Sequence, residues 1–597
     1  MQINQKYPTL WDLGCFYDSI DSSKIQKDKE SLSEKIDQFV ARYSDKLSVF
    51  NLPNAIYEYD EIYKSALKIE TYASLYYQTK VKDNIAMAAY QDALEWWYSN
   101  FSKLCKFVVE IQKLDYEEIK KKLSEDSEFS KYSSFIEETF RLRKHTLSAN
   151  EESILAKMGV VTGSAWHKFH EGILSRIEFQ FGEKKQTLSD IVEKANYGES
   201  DEIRKNASIA LSEGLKNNAY SLLSIFNNVA LSHQVYGEIK KYDDPESQRF
   251  LADNIDKKAV ETMVSAISEN YETICHRYYK IKAKLLGKDK LQYWDRCSNV
   301  KISENPDTKF SYDEAIDLIL SIFKGFSEKF YKIAKDMVNN SWVDVYPADG
   351  KVSGAFACPA TVDLHPFILL NFYGSIRDVL TIAHEFGHGI HQKLSMRNKE
   401  LVCGPALNIS ETASTFAEKL TNKYLLENEH DPKKKIELIC SRLDDVMSTV
   451  FRQIAFFKFE QKIHNLRKEK ELSNDMMDSA WREVLSESLG DGVELDPCID
   501  NFWGYITHFT SCPFYVYSYA FGCLFVEGLF AEYEKMGKEF IEKYEEALSL
   551  GGTKTYSEIA NMFGIDAESK EFWNSALNSI KSEIDELEAL CDRTLCN

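Results

Sequence analysis

Between about Lys24 and Tyr220, apolar side chains recur at intervals of three and four. Ile62, Ala66, Ile69, Ala73 and Tyr76 follow that spacing, which sets them on one face of a helix. From Ala86 to Val109 the pattern continues through Tyr90, Trp96, Trp97 and Phe101. Aromatics at helical spacing read as core, not as a cofactor site, and such helices pack as an antiparallel array. Phe179-Gln180-Phe181-Gly182-Glu183-Lys184-Lys185 interrupts them as a turn or short hairpin. Helical patterning resumes at Ile203 and runs, with breaks, to Val338.

The stretch from Ser341 to Phe372 differs. Trp342-Val343-Asp344-Val345-Tyr346 and Phe367-Ile368-Leu369-Leu370-Asn371-Phe372 are short, apolar and bounded by Pro and Gly, as strands are. A small sheet in an otherwise helical protein is predicted. The chain is expected to divide into an N-terminal helical lobe, residues 1–200, and a catalytic region, residues 201–597, because its 597 residues exceed what one core serves. Only 11 prolines and 25 glycines punctuate it, which favours long helices with short connections.

With 73 basic and 94 acidic residues the net charge is −21, and such a surface repels phosphate backbones and anionic lipid. Neither a nucleic-acid nor a membrane role is expected. The runs Lys120-Lys121-Lys122 and Lys433-Lys434-Lys435 read as solvated helix faces. No CxxC pair, no signal-peptide pattern and no apolar run of spanning length occur, so a cytoplasmic protein with reduced thiols is expected.

The strand-like region leads into Ile382-Ala383-His384-Glu385-Phe386-Gly387-His388-Gly389-Ile390-His391. Its HExxH spacing places His384 and His388 one helical turn apart on one face, where both imidazoles reach one Zn²⁺. Glu385 then lies beside an activated water without ligating the ion, as a general base requires. Val379, Leu380, Ile382, Ala383, Phe386 and Ile390 supply the apolar faces of a buried helix. A catalytic zinc needs a third protein ligand. Glu411 opens a second helical pattern and can approach from across; His391 lies on nearly the same face as His388, where tetrahedral geometry would strain. Glu411 is the preferred ligand. Glu418, seven residues on, shares its face and either orients a ligand histidine or pairs at the surface. Gly387 and Gly389 cost helix propensity, which points to close packing or to room for substrate.

His384-Glu385-Phe386-Gly387-His388 with His391, followed by Glu411-Thr412-Ala413-Ser414, resembles the thimet-type oligopeptidases, and within them the oligoendopeptidase F branch. Ser353-Gly354-Ala355, His365-Pro366-Phe367-Ile368-Leu369-Leu370-Asn371, His508 before Pro513-Phe514-Tyr515-Val516-Tyr517-Ser518-Tyr519, and Gly551-Gly552-Thr553 extend the likeness over residues 340–570. The resemblance implies a predominantly all-α, two-lobed fold with one zinc per chain at the floor of a deep channel that admits short peptides. It also implies that His508 and tyrosines of its segment bind substrate and stabilise the oxyanion of the tetrahedral intermediate. Tyr515 and Tyr517 share that expectation, with Tyr519 behind them. Read without the zinc motif, the same aromatics are core. The strand edge at Gly354, Ala355 and Phe356 is expected to pair with the substrate backbone. The expected reaction is hydrolysis of internal bonds in short oligopeptides; a zinc exopeptidase acting on small peptides is the alternative.

Overall fold

The computed structural model describes residues 6–305, 308–405 and 407–595. They are mostly helical, as the periodicity requires. Helix Leu52–Gln78 buries Ile62, Ala66, Ile69 and Ala73 on one face, and helix Asn84–Ile111 packs Trp96 and Trp97 against the same core. Phe39, Tyr59 and Phe107 interlock at its centre, with ring centroids 5.0 to 6.1 Å apart. The turn near residue 180 is a hairpin: Phe179–Phe181 pairs antiparallel with Lys184–Gln186 across Gly182, whose φ is +59°.

The described chain groups into two compact units, each built from three segments. The first comprises Met1–Ala149, Asp307–Leu425 and Glu532–Gly564; the second comprises Asn150–Pro306, Leu426–Ala531 and Ile565–Asn597. The boundary read near residue 200 falls inside a segment of the second unit.

In the first unit lies a three-stranded sheet. Its central strand, Phe367–Leu369, pairs parallel with Val343–Asp344 and antiparallel with Phe356–Cys358. All three central residues are fully buried, which accounts for the continuous apolar run. Phe356–Cys358 is an edge strand. The helix that follows, Ile376–Ser395, begins at a reciprocal cap: Ser375 Oγ accepts from the Asp378 N–H at 3.2 Å, and Asp378 Oδ2 accepts from the Ser375 N–H at 2.8 Å. That cap fixes the phase of the helix carrying the HExxH motif.

Among the described residues no helix is long and apolar enough to cross a membrane. The eleven cysteines described are free thiols; Cys596 lies outside the described residues. Lys120 pairs with Glu117 on an exposed helix face, and Asp431 caps the helix on which Lys433 to Lys435 lie.

Candidate metal centre

Helix Ile376–Ser395 buries Val379, Ile382, Ala383, Phe386 and Ile390, and that burial aims His384 and His388 from its other flank. Their rings stand 4.9 Å apart, nearly perpendicular. A second helix, Thr412–Asn428, follows Glu411 directly. It approaches where the motif helix has no side chain: a Cβ on Gly387 would lie 2.5 Å from the Ala413 carbonyl oxygen and 2.6 Å from Ser414 Cα. Close packing is therefore the reason for Gly387. Gly389 faces Met337 and Ile368 side chains instead.

This approach brings Glu411 Oε2 to 3.3 Å from His384 Nε2 and 3.2 Å from His388 Nε2. One ligand atom from each residue lies within 4.8 Å of the others. Around a tetrahedral ion with bonds of about 2.0–2.2 Å, ligand atoms stand roughly 3.3–3.5 Å apart, so two imidazoles and a carboxylate in this arrangement fit zinc. On the far side of the ring, His384 Nδ1 lies 3.3 Å from Glu418 Oε2. Burial alone would lower the proton affinity of His384. The hydrogen bonds of Glu411 and Glu418 outweigh it and raise its pKa to about 10. Conversely, burial would raise Glu411, but both histidines hold it far below the usual carboxylate range. At His384 the surrounding carboxylates thus favour positive charge.

His391 stands outside the cluster. It is buried, its pKa is lowered to about 4 chiefly by that burial, and it is hydrogen-bonded to the backbone of Ser410. It thereby tethers the residue immediately before Glu411.

Glu385 is 6% exposed, and burial raises its pKa above the ordinary carboxylate value. The nearby Ala357 backbone tempers that rise, and the Glu385 Oε2 has no protein partner. Gln392, two turns along the same helix, donates to the Ala357 carbonyl at 3.0 Å. The helix therefore holds the carbonyl of one residue on the edge strand. The register explains how. Ile368, opposite Ala357, donates its N–H to Trp342, so the Ala357 groups turn outward to the edge. Phe356 turns inward to Leu369, and Asn371 Nδ2 donates to the carbonyl of Gly354. By alternation, the next outward-facing peptide groups are those of Ala355. Sequence spacing revealed neither Gln392 nor Ala357, since periodicity marks a helix face but not its partner strand.

The second unit carries His508 and the tyrosines. His508 Nε2 lies 3.2 Å from Tyr519 Oη, and the Tyr515 ring stands 5.3 Å from that of Tyr519. His508 is held below its ordinary pKa first by burial and then by the charge of Arg452, which favours its neutral form. Tyr517 is different: it is fully buried and its hydroxyl donates to Asp253 Oδ2 at 2.8 Å. Asp253 is in turn held by Arg249. Phe514, at φ +61°, is fixed by an N–H donated to buried Glu460 at 2.8 Å.

The sequence matches the family description "Peptidase family M3" over residues 195–579 and "Oligopeptidase F" over residues 110–179. It is 27% identical to the oligopeptidase PepF of Bacillus subtilis over 565 residues, covering 92% of this chain and 83% of that one. An oligoendopeptidase F homolog of Borreliella burgdorferi is 27% identical over 589 residues, 97% of this chain and 98% of its own. Among solved structures, a chain from Chlamydophila abortus superposes with TM-score 0.84 at 22% identity, covering 98% of each chain. The oligoendopeptidase-F of Enterococcus faecium superposes with TM-score 0.72 at 22% identity, covering 96% of this chain and 99% of its own. The chain therefore belongs to peptidase family M3 and is an oligopeptide-cleaving metallopeptidase.

Proposed function

We propose that this chain hydrolyses internal bonds of short peptides in the cytoplasm, with one zinc ion held by His384, His388 and Glu411. The observation that carries this reading is the convergence of those three ligand atoms beside Glu385, whose Oε2 is buried and unpartnered. When bound, the ion would supply Lewis acidity, polarising the scissile carbonyl and making water a nucleophile near neutral pH.

The remaining chemistry belongs to the protein. Glu385 Oε2 takes a proton from the attacking water as the carbon–oxygen bond forms, and returns it to the nitrogen as the carbon–nitrogen bond breaks. Its raised pKa suits a group that must both accept and release a proton. Glu418 keeps the His384 ring turned so that Nε2 faces the site. The family resemblance assigns the oxyanion to His508 and a tyrosine of its segment; His508 Nε2 lies 3.2 Å from Tyr519 Oη. Tyr515 packs beside them, whereas the Tyr517 hydroxyl is committed to Asp253 and serves the core. On the strand edge, Ala355 presents its N–H and C=O to a substrate backbone, with Gly354 and Phe356 shaping the approach.

Cleavage mapping tests this. A peptide blocked at both termini should be cut at an internal bond. Cleavage only of peptides with a free terminus, always at a fixed distance from it, would favour the exopeptidase instead.

A further inference from the structure

Two helices of the second unit carry the groups that the resemblance assigns to the oxyanion. One is His508–Ser511, which opens with His508; the other is Tyr517–Met536, whose first turn holds Tyr519. A tight turn joins them. The Tyr515 N–H donates to the Cys512 carbonyl at 3.2 Å, so Pro513 and Phe514 are its two central residues. Proline suits the first of these places. Phe514 occupies the second with φ +61°, a left-handed conformation that glycine or asparagine takes readily and a bulky residue resists. Such strain persists only where the surroundings over-determine it, and it gathers at functional sites.

The surroundings here are one face of helix Arg452–Glu469, on which Phe457, Glu460 and His464 lie three and four residues apart. The ring of fully buried Phe514 stands 4.7 Å from that of His464 and 6.1 Å from that of Phe457. Between them Glu460 Oε1 accepts the Phe514 N–H at 2.8 Å. Glu460 is 1% exposed, and its Oε2 is buried with no protein partner. Burial pushes its pKa well above the carboxylate range, although the Phe514 N–H opposes that shift. Burying a carboxyl group is costly unless a hydrogen bond compensates. Among the described residues, the one that Glu460 makes is to the strained residue.

After the turn a second clamp holds Tyr517, whose hydroxyl donates to Asp253 Oδ2 at 2.8 Å, with Arg249 paired to Asp253. Phe514, Val516, Tyr517, Ser518 and Ala520 are buried, so Tyr515 and Tyr519 are the two residues of 514–520 that reach partly into solvent. We propose that Glu460 is a positioning residue for hydrolysis: by holding Phe514 in its left-handed turn, it sets Tyr519 against His508. The inference rests on the reading that His508 and a tyrosine of its segment serve the oxyanion. Glu460 contributes an acceptor and transfers no proton, so a neutral acceptor of the same size should replace it.

Glu460→Gln keeps an oxygen for the Phe514 N–H, and Glu460→Met keeps the length without it. Steady-state hydrolysis of one peptide by the full-length enzyme, with zinc content measured on each preparation, tests the difference. Oxyanion donors act in the transition state, so Glu460→Met should lower kcat roughly 10- to 100-fold while KM and zinc content change little. Glu460→Gln should return kcat to near the parent value. Amide exchange at Phe514 should be slow in the parent and in Glu460→Gln, which decides the matter if Glu460→Met folds poorly. His508→Ala and Tyr519→Phe, assayed alongside, separate the two levels. If neither lowers kcat, the oxyanion reading falls and this inference with it; a loss in either, beside full kcat in Glu460→Met, overturns this inference alone. Equal impairment of the Gln and Met variants, an effect of Glu460→Met confined to KM, or rapid exchange of the Phe514 amide in the parent would also overturn it.

Discussion

His384 Nδ1 lies 3.3 Å from Glu418 Oε2, while Nε2 of the same ring lies 3.3 Å from Glu411 Oε2. One imidazole is thus held between two carboxylates, one just before the helix Thr412–Asn428 and one two turns further along it. Glu418 is placed to orient the ring without ligating. Partners of this kind typically account for 10- to 100-fold in metal affinity. Glu418→Gln should therefore weaken zinc affinity by about that factor while leaving the stoichiometry at one. A competition titration against a chromophoric chelator measures it, and unchanged affinity would reduce Glu418 to a surface pair.

Glu411 and His391 should separate in the same assay. Glu411→Ala removes a proposed ligand and should abolish stoichiometric zinc in the purified protein. His391→Ala leaves all three converging atoms in place and should retain zinc, with affinity lowered only through the loosened Ser410 tether. The reverse pattern would place the ion on a single helix.

The glycines of the motif helix make opposite predictions. Gly387→Ala forces a Cβ to 2.5 Å from the Ala413 carbonyl oxygen, a backbone atom that moves only with its helix. Overpacking of this type costs about 1–3 kcal/mol, and here it should also push Glu411 away and lower zinc occupancy. Gly389→Ala meets the Met337 methyl at 2.6 Å, the end of a flexible side chain. Repacking of Met337 and a helix-propensity gain of about 1 kcal/mol should leave stability nearly unchanged. Denaturant unfolding with parallel metal analysis tests both.

The sequence singles out the three proposed ligands, whose atoms the structure brings together, because their geometry is local. His384 and His388 are fixed by helical pitch, and Glu411 by its place at the start of the next helix. The helical character, the hairpin near Gly182 and the sheet before the motif are legible for the same reason. Long-range pairing is not. Tyr517 stands ahead of Tyr519 as a donor in sequence, but the hydroxyl of Tyr517 is bound by Asp253, 264 residues away. The hydrogen bond from Gln392 to the Ala357 carbonyl likewise joins a helix to a strand that precedes it by some thirty residues. Periodicity also cannot show that each compact unit is gathered from three separate segments.

The most direct test is Glu385→Gln, with zinc content, peptide affinity and turnover measured on one preparation. The substitution preserves size but removes the proton acceptor. Base catalysis contributes about 10²- to 10⁴-fold, so turnover should fall by that factor while zinc and peptide binding persist. Turnover near that of the parent enzyme, with zinc retained, would contradict the account.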